Sequence, residues 1–318
     1  MNHRLSLEHI AQAMQIIDPV FLNTPQYRLE PLEAQLGCRL VIKVETLNPI
    51  RSFKGRGASL FVAQVAPGDT LVCASAGNFG QAMAYACRAR GVKLIVYASV
   101  NANPLKIERM RALGAEVRLH GEDFDAAKLE AKRFAAQSGT RMVEDSLEPA
   151  TGEGAGTMAV ELLRWPEPFD AVLVALGNGA MLTGVGRWIK AHAPNTEVIG
   201  VAARGAPAME ESWRTGQIVE HERIDTISDG IGVRVPVPEA VADMRGTVDD
   251  VLLVGDDTTI AAMKLLHQHA GIVVEPSGAV GVAALLEHRE RFAGKLVATI
   301  ICGGNLTPQQ IEQWLAHE

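Results

Sequence analysis

The chain has little of what marks several large protein classes. Only 5% of its 318 residues are aromatic, and its 4 cysteines, Cys38, Cys73, Cys87 and Cys302, form no CxxC pair. That usage excludes a disulfide framework and is expected of reduced, cytoplasmic thiols that mostly serve as small core residues. Positive charge is not in excess: 30 Lys and Arg against 37 Asp and Glu give a formal net charge of −7, with no footprint for nucleic acid or an anionic membrane. No run approaches the roughly 18 apolar residues of a membrane span. Leu5-Ser6-Leu7-Glu8-His9-Ile10 alternates polar and apolar residues where a signal peptide would be continuously apolar. The 9 histidines show no ligand spacing, and His267 and His269 face different sides of a helix, so no metal is expected.

What is abundant is glycine, 30 residues, within a chain that is 47% hydrophobic. Many tight strand-to-helix turns and a large core follow. Strands are predicted at 40–44, 70–73, 94–97, 116–119, 142–144, 171–176, 198–202, 251–254 and 296–301. Helices are predicted at 78–90, 104–113, 123–137, 157–163, 182–192, 256–269 and 280–288. Near-continuous apolar strands joined by helices give an α/β fold of parallel-rich sheets flanked by helices. Two units are expected, a large one from 1–69 and 148–318 and a small one from 70–147. Ligands in such sheets sit at the carboxyl ends of the strands.

Four segments carry chemistry at such ends. In Ser52-Phe53-Lys54-Gly55-Arg56-Gly57-Ala58, a lysine framed by an aromatic ring and glycines can serve as an imine-forming amine. The strand 171–176 runs into Gly177-Asn178-Gly179-Ala180-Met181-Leu182, whose free N–H groups would open a helix and cradle a phosphate. The third glycine of a dinucleotide fingerprint would fall at Leu182, and no Lys-Ser/Thr ending marks a P-loop, so the phosphate belongs to a monophosphate. Ser75-Ala76-Gly77-Asn78 opens another helix and suits a carboxylate, or is an ordinary N-cap. Cys302-Gly303-Gly304-Asn305 ends the last strand.

From Thr24 to Asn305 the chain resembles the fold-type II pyridoxal-phosphate enzymes, in the branch of threonine/serine dehydratases and serine racemases. Asp229-Gly230-Ile231-Gly232 and Glu275-Pro276-Ser277-Gly278 add to the likeness. The resemblance implies a two-domain, tryptophan synthase β-like fold in which Lys54 forms the internal aldimine with pyridoxal 5'-phosphate and Phe53 packs near the ring. Gly177, Asn178, Gly179, Ala180, Met181 and Leu182 would hold the phosphate. Asn78 would bond the phenolic oxygen, and Ser75, Ala76, Gly77 and Asn78 the substrate carboxylate. Cys302 would stand beside the pyridine nitrogen, with Gly230 and Glu275 bordering the ring. A homodimer acting on a small amino acid is implied as well.

The expected activity is β-elimination from an amino acid such as threonine or serine, giving a 2-oxo acid and ammonia, with Lys54 as base. Racemases of this branch carry a serine where this chain has Ala76, and metal-activated relatives carry acids where it has Ala203 and Met209. β-Replacement, racemisation and cofactor binding without turnover remain the alternatives. Phe79, Ala155 and the pair Glu144-Asp145 depart from the branch; an acid pair near the pocket suits a cationic or hydroxylated side chain, or is a solvated rim. The chain stops 13 residues past Asn305 (318 − 305), so the regulatory domain of biosynthetic threonine dehydratases is not expected.

Overall fold

Strands that are apolar along both faces need helices on both sides, and that demand organises the chain. The computed structural model describes residues 3–316; the ends of the expected large unit, 1–2 and 317–318, lie outside the described residues. The chain begins with α1 (Leu7–Ile16), β1 (Gln26–Arg28), α2 (Glu30–Leu36), β2 (Arg39–Val44) and α3 (Lys54–Val62). Next come β3 (Thr70–Ala74), α4 (Asn78–Arg90), β4 (Lys93–Ala98), α5 (Pro104–Ala112), β5 (Glu116–Leu119), α6 (Phe124–Ser138) and β6 (Arg141–Val143). Then follow α7 (Pro149–Leu162), β7 (Ala171–Ala175), α8 (Ala180–His192), β8 (Glu197–Ala203), α9 (Ala208–Thr215) and α10 (Pro238–Asp243). The last are β9 (Asp250–Val254), α11 (Asp256–Ala270), α12 (Pro276–Glu287), α13 (Arg289–Phe292), β10 (Leu296–Ile301) and α14 (Pro308–Leu315).

Six strands form one sheet in the order β1-β2-β10-β7-β8-β9, and four form a second, β5-β4-β3-β6. Among the described strands only β1 is antiparallel to its neighbour. Every residue of β7 and β10 is buried, as expected of central parallel strands. One apolar cluster surrounds the six-stranded sheet. A second joins Ala13 of α1 and Ala58 and Phe61 of α3 to Leu71 and Val96 of the four-stranded sheet. No helix among the described residues is long and apolar enough to cross a membrane.

α7 starts eight residues earlier than its apolar pattern predicts, because its glycines serve close packing rather than a turn. A Cβ on Gly154 would lie 2.6 Å from Gly57 Cα on α3, and one on Gly184 of α8 would lie 1.9 Å from Gly152 O. These backbones touch, so the cost of glycine inside a helix is offset by contacts no larger residue permits. β1 and α3 also lie outside the predicted elements. β1 is three residues long with two of them exposed, too short for a periodic signal.

Beneath α3 lies a sealed cluster of charge. Arg56 donates from Nε to Glu45 Oε2 (2.8 Å) and from Nη1 to Glu161 Oε1 (2.7 Å), while Lys43 Nζ donates to Glu161 Oε2 at 2.6 Å. Thr24 Oγ1 donates to Glu45 Oε1 at 2.5 Å. All four ionic side chains are 0–3% exposed. Burial pushes the Glu161 carboxyl up, but Arg56 and Lys43 outweigh it and hold it down to about 2. Burial pulls Arg56 down; Glu45 and Glu161 reverse that and hold it above its ordinary value. Two cations and two carboxylates thus tie β2, α3 and α7 together two residues from Lys54.

Removing one partner strands the others. Arg56→Met is expected to cost about 3–5 kcal/mol in urea unfolding, the usual penalty for a buried pair broken from one side. Glu161 lies below its unfolded value of 4.5, so its contribution is present above that pH and lost as pH falls toward about 2. Acid titration of stability should show this loss in the parent protein and a smaller one in Glu161→Gln.

Candidate active site

Lys54 is the first residue of α3, and the turn before it is stitched to the end of β10. Phe53 N–H donates to Cys302 O at 3.0 Å, Ser52 bridges Gly303, and Lys54 N–H donates to Ser52 Oγ at 3.3 Å. Asn48 Oδ1 accepts from the N–H groups of Ile50 and Ser52, which fixes the approach. The amine is therefore presented from a rigid base. Its Nζ lies 4.7 Å from the centre of the Phe53 ring and 2.5 Å from Asp145 Oδ2. Lys54, Phe53, Phe79, Asp145, Thr151 and Ala180 line one pocket.

Two helix N-termini face this region from the carboxyl ends of different sheets. α8 opens after Gly179, whose φ of 99° is left-handed and suits glycine. The first N–H groups of a helix have no intrahelical partner; here that of Ala180 is taken by Ser146 Oγ at 3.1 Å. Met181 and Leu182 bury their side chains, so they offer a ligand backbone alone. Gly177 lies against Gly230, because a Cβ at 177 would sit 3.1 Å from Gly230 O. At the start of α4, Ser75 Oγ accepts from Gly77 N–H (3.2 Å) and Gly80 N–H (2.9 Å). Ser75 therefore acts as a local cap, and Gly77 and Asn78 are half-buried beside it. Ala76 is half-buried in the same turn and has no polar side-chain atom.

A polar wall closes the third side. Asn78 Nδ2 donates to Glu275 Oε1 at 2.6 Å, Asn305 Nδ2 donates to Asn78 Oδ1 at 2.8 Å, and Asn305 N–H donates to Glu275 Oε2 at 3.0 Å. One Asn78 N–H is thereby used and its second is left for a ligand. Burial, and then the charge of Asp229, push the Glu275 carboxyl above its usual range. Burial and the nearby Glu275 push the Cys302 thiol far up as well, so it stays neutral; its Sγ donates to Ser277 O at 3.5 Å.

Sequence reasoning passed over Ser146 and left the acids 144 and 145 as a single pair. Glu144 is bound by Lys128 (2.7 Å) and Lys132 (3.0 Å), while Asp145 meets Lys54. Only their adjacency is visible in sequence. Ala203 and Met209 are buried apolar side chains, and no group of three or more His, Cys, Asp or Glu among the described residues could hold a metal ion.

A pocket-facing amine, a glycine-opened helix N-terminus and a wall that offers amide and neutral thiol groups fit a phosphorylated aromatic aldehyde. The fold and these groups define an enzyme class that holds its cofactor through a lysine. Residues 17–303 match the family model for pyridoxal-phosphate dependent enzymes, and the chain belongs to that family. It is 31% identical over 311 residues to L-threonine dehydratase biosynthetic IlvA of Bacillus subtilis (strain 168), covering 96% of this chain and 74% of the relative. The T.th. threonine deaminase structure is 32% identical with a TM-score of 0.89, over 95% of this chain and 99% of that one. Maize serine racemase has a TM-score of 0.90 at 27% identity, over 97% and 96%. The chain is thus a fold-type II enzyme related to threonine dehydratases and serine racemases, with pyridoxal phosphate as the cofactor its family implies.

The wall depends on Gly303. A Cβ there would lie 2.2 Å from Glu275 Oε1 and 3.0 Å from Asn78 Nδ2. Gly303→Ala should force the wall apart and weaken pyridoxal-phosphate affinity about tenfold or more, the scale of an overpacking strain of about 1–3 kcal/mol. Absorbance titration of cofactor-depleted protein measures it.

Proposed function

We propose that the protein eliminates the β-substituent of an amino acid such as serine or threonine, releasing a 2-oxo acid and ammonia. The observation that carries this reading is that Lys54 lines the pocket, whereas residue 76, where the racemase branch has serine, is an alanine with no transferable proton. Pyridoxal phosphate, when bound, draws electrons from Cα and makes its proton removable.

The remaining duties fall to the chain. Lys54 holds the cofactor and, once freed, accepts the Cα proton. Ser75, Ala76, Gly77 and Asn78 bind the substrate carboxylate at the positive end of α4. Residues 177–182 would bind the phosphate with the N–H groups that Ser146 leaves available. The second Asn78 N–H would be free for the phenolic oxygen, and Phe53, Gly230 and Glu275 would hold the ring. A neutral Cys302 supplies no negative charge to keep a proton on the ring nitrogen. That favours prompt loss of the β-substituent over amino transfer.

Residues 1–69 and 148–318 act in this reading as the cofactor-binding unit, and 70–147 as a smaller unit closing over substrate. Contacts from α5 support closure: Lys106 Nζ to Asp229 Oδ2 and Arg109 Nη1 to Asn305 Oδ1, both 2.6 Å. A cytoplasmic homodimer is the form the family resemblance implies. Borohydride reduction of the loaded protein followed by peptide mapping should label Lys54. Lys54→Ala should lower 2-oxo acid release from serine and threonine by about 1,000-fold or more, since nucleophile and base are lost together. Undiminished turnover, or a label on another amine, would overturn the assignment.

A further inference from the structure

Asp145 has a place in the pocket that the reaction as described does not use. Its Oδ2 meets Lys54 Nζ at 2.5 Å, while its Oδ1 is buried without a hydrogen-bond partner among the described residues. Only 12% of the side chain is exposed. An acceptor left unmatched in such a place costs free energy unless a ligand supplies the donor.

The backbone around it is built to aim it. Ser146, the next residue, has φ 67°, a left-handed conformation unfavourable for a non-glycine residue. That conformation is enforced from several sides. Thr151 Oγ1 accepts from Ser146 N–H at 3.1 Å, and Arg4 Nη2 donates to Ser146 O at 2.6 Å. Arg4 is itself held by Asp243 Oδ2 at 2.6 Å. Ser146 Oγ meanwhile accepts from Ala180 N–H at the start of α8. Strain maintained this firmly beside a pocket marks a functional position.

Register fixes what Asp145 can reach. β3 and β6 are parallel neighbours, with Cys73 opposite Val143. Two residues further on, Ser75 and Asp145 leave the same edge of the same sheet. Neighbouring strands lie about 4.8 Å apart, the scale of a three-carbon amino acid. A substrate whose carboxylate is on the Ser75–Asn78 turn and whose Cα faces Lys54 would extend its β-substituent toward Asp145.

Charge then selects among substituents. Lys54 offers Asp145 an ammonium only while its nitrogen is both unbound and protonated. Held by the cofactor, or freed as the neutral base that accepts the Cα proton, it offers none, and a hydroxyl group would supply only a neutral donor in its place. A β-ammonium group restores both the charge and the hydrogen bond. Resting on the reading of Lys54 as the cofactor lysine of a β-eliminating enzyme, we infer that Asp145 determines specificity for an α-amino acid with a positively charged β-amino group.

For 2,3-diaminopropionate the atoms and electrons balance. Lys54 takes the Cα proton, the electron pair left behind forms the Cα–Cβ double bond, and the Cβ–N pair departs with the β-nitrogen as ammonia. One water then hydrolyses the released enamine. Substrate plus water gives pyruvate and two ammonia, against one ammonia per 2-oxo acid from serine or threonine.

The test compares the parent holoenzyme with Asp145→Asn on L- and D-2,3-diaminopropionate, L-serine and L-threonine, resolving kcat from KM. The parent should favour a diaminopropionate isomer, with two ammonia released per pyruvate. Asp145→Asn should reduce the diaminopropionate-to-serine ratio of kcat/KM about 10- to 100-fold, chiefly through KM, the range expected for losing a charged hydrogen bond. Binding without elimination gives a second readout. The variant should weaken 2,4-diaminobutyrate, measured by the cofactor absorbance, more than 2-aminobutyrate. An unchanged ratio in the variant would mean that Asp145 only positions Lys54 and would sink the inference. So would a parent enzyme that turns over serine or threonine without preferring diaminopropionate, which leaves the lyase reading intact. Absence of a reducible cofactor bond at Lys54 would instead remove the lyase reading, and this inference with it.

Discussion

Arg56 is the interaction on which the rest of the site depends. A guanidinium with no exposed surface is tolerated only where carboxylates meet it on more than one side, and Glu45, just after β2, and Glu161 on α7 do so. Because Arg56 lies in the first turn of α3, the cluster fixes where that helix begins and hence where Lys54 stands. Lys43 completes the charge balance from the adjacent strand position. The same cost of desolvation that makes this cluster expensive also makes it specific. A shift of α3 by one turn would remove one of the two cations and leave Lys43 to balance two buried acids.

The glycines of α7 and α8 permit that geometry. With Gly154 against Gly57 and Gly184 against Gly152, α3, α7 and α8 approach backbone to backbone. Glu161 can then reach across from α7 to Arg56, and Ser146, just before α7, can reach Ala180 on α8. Close packing and polar contact support each other. The glycines bring the helices within hydrogen-bond range, and the hydrogen bonds hold polar groups that such packing would otherwise leave unsatisfied.

How much of this was readable in the sequence follows from the range of each signal. Apolar runs such as 171–175 and 296–301 specify buried strands locally, and the structure has them as β7 and β10. The glycine-rich turn at 177–179 and the Lys54 segment are local as well, and both lie at strand ends as expected. α7 misleads because a glycine that admits a neighbouring backbone is written like one that makes a turn. The split of Glu144 from Asp145 was hidden for a different reason. Which acid faces Lys128 and Lys132 and which faces Lys54 depends on where β6 stops and on the left-handed turn at Ser146. Neither has a signature in residue type alone.

The pocket draws its parts from both sheets, and this bears on how firmly it is held. Lys54 is stitched to β10 of the six-stranded sheet, while α3 packs its apolar face into the core beneath the four-stranded sheet. The links on the opposite rim are of another kind. Lys106 to Asp229 and Arg234 to Asp125 each involve an exposed carboxylate, and such pairs are weakened because water competes for that partner. The lysine side is thus held by contacts between buried residues, Phe53 to Cys302 and Ser52 to Gly303, while these two rim pairs each present an exposed carboxylate to solvent.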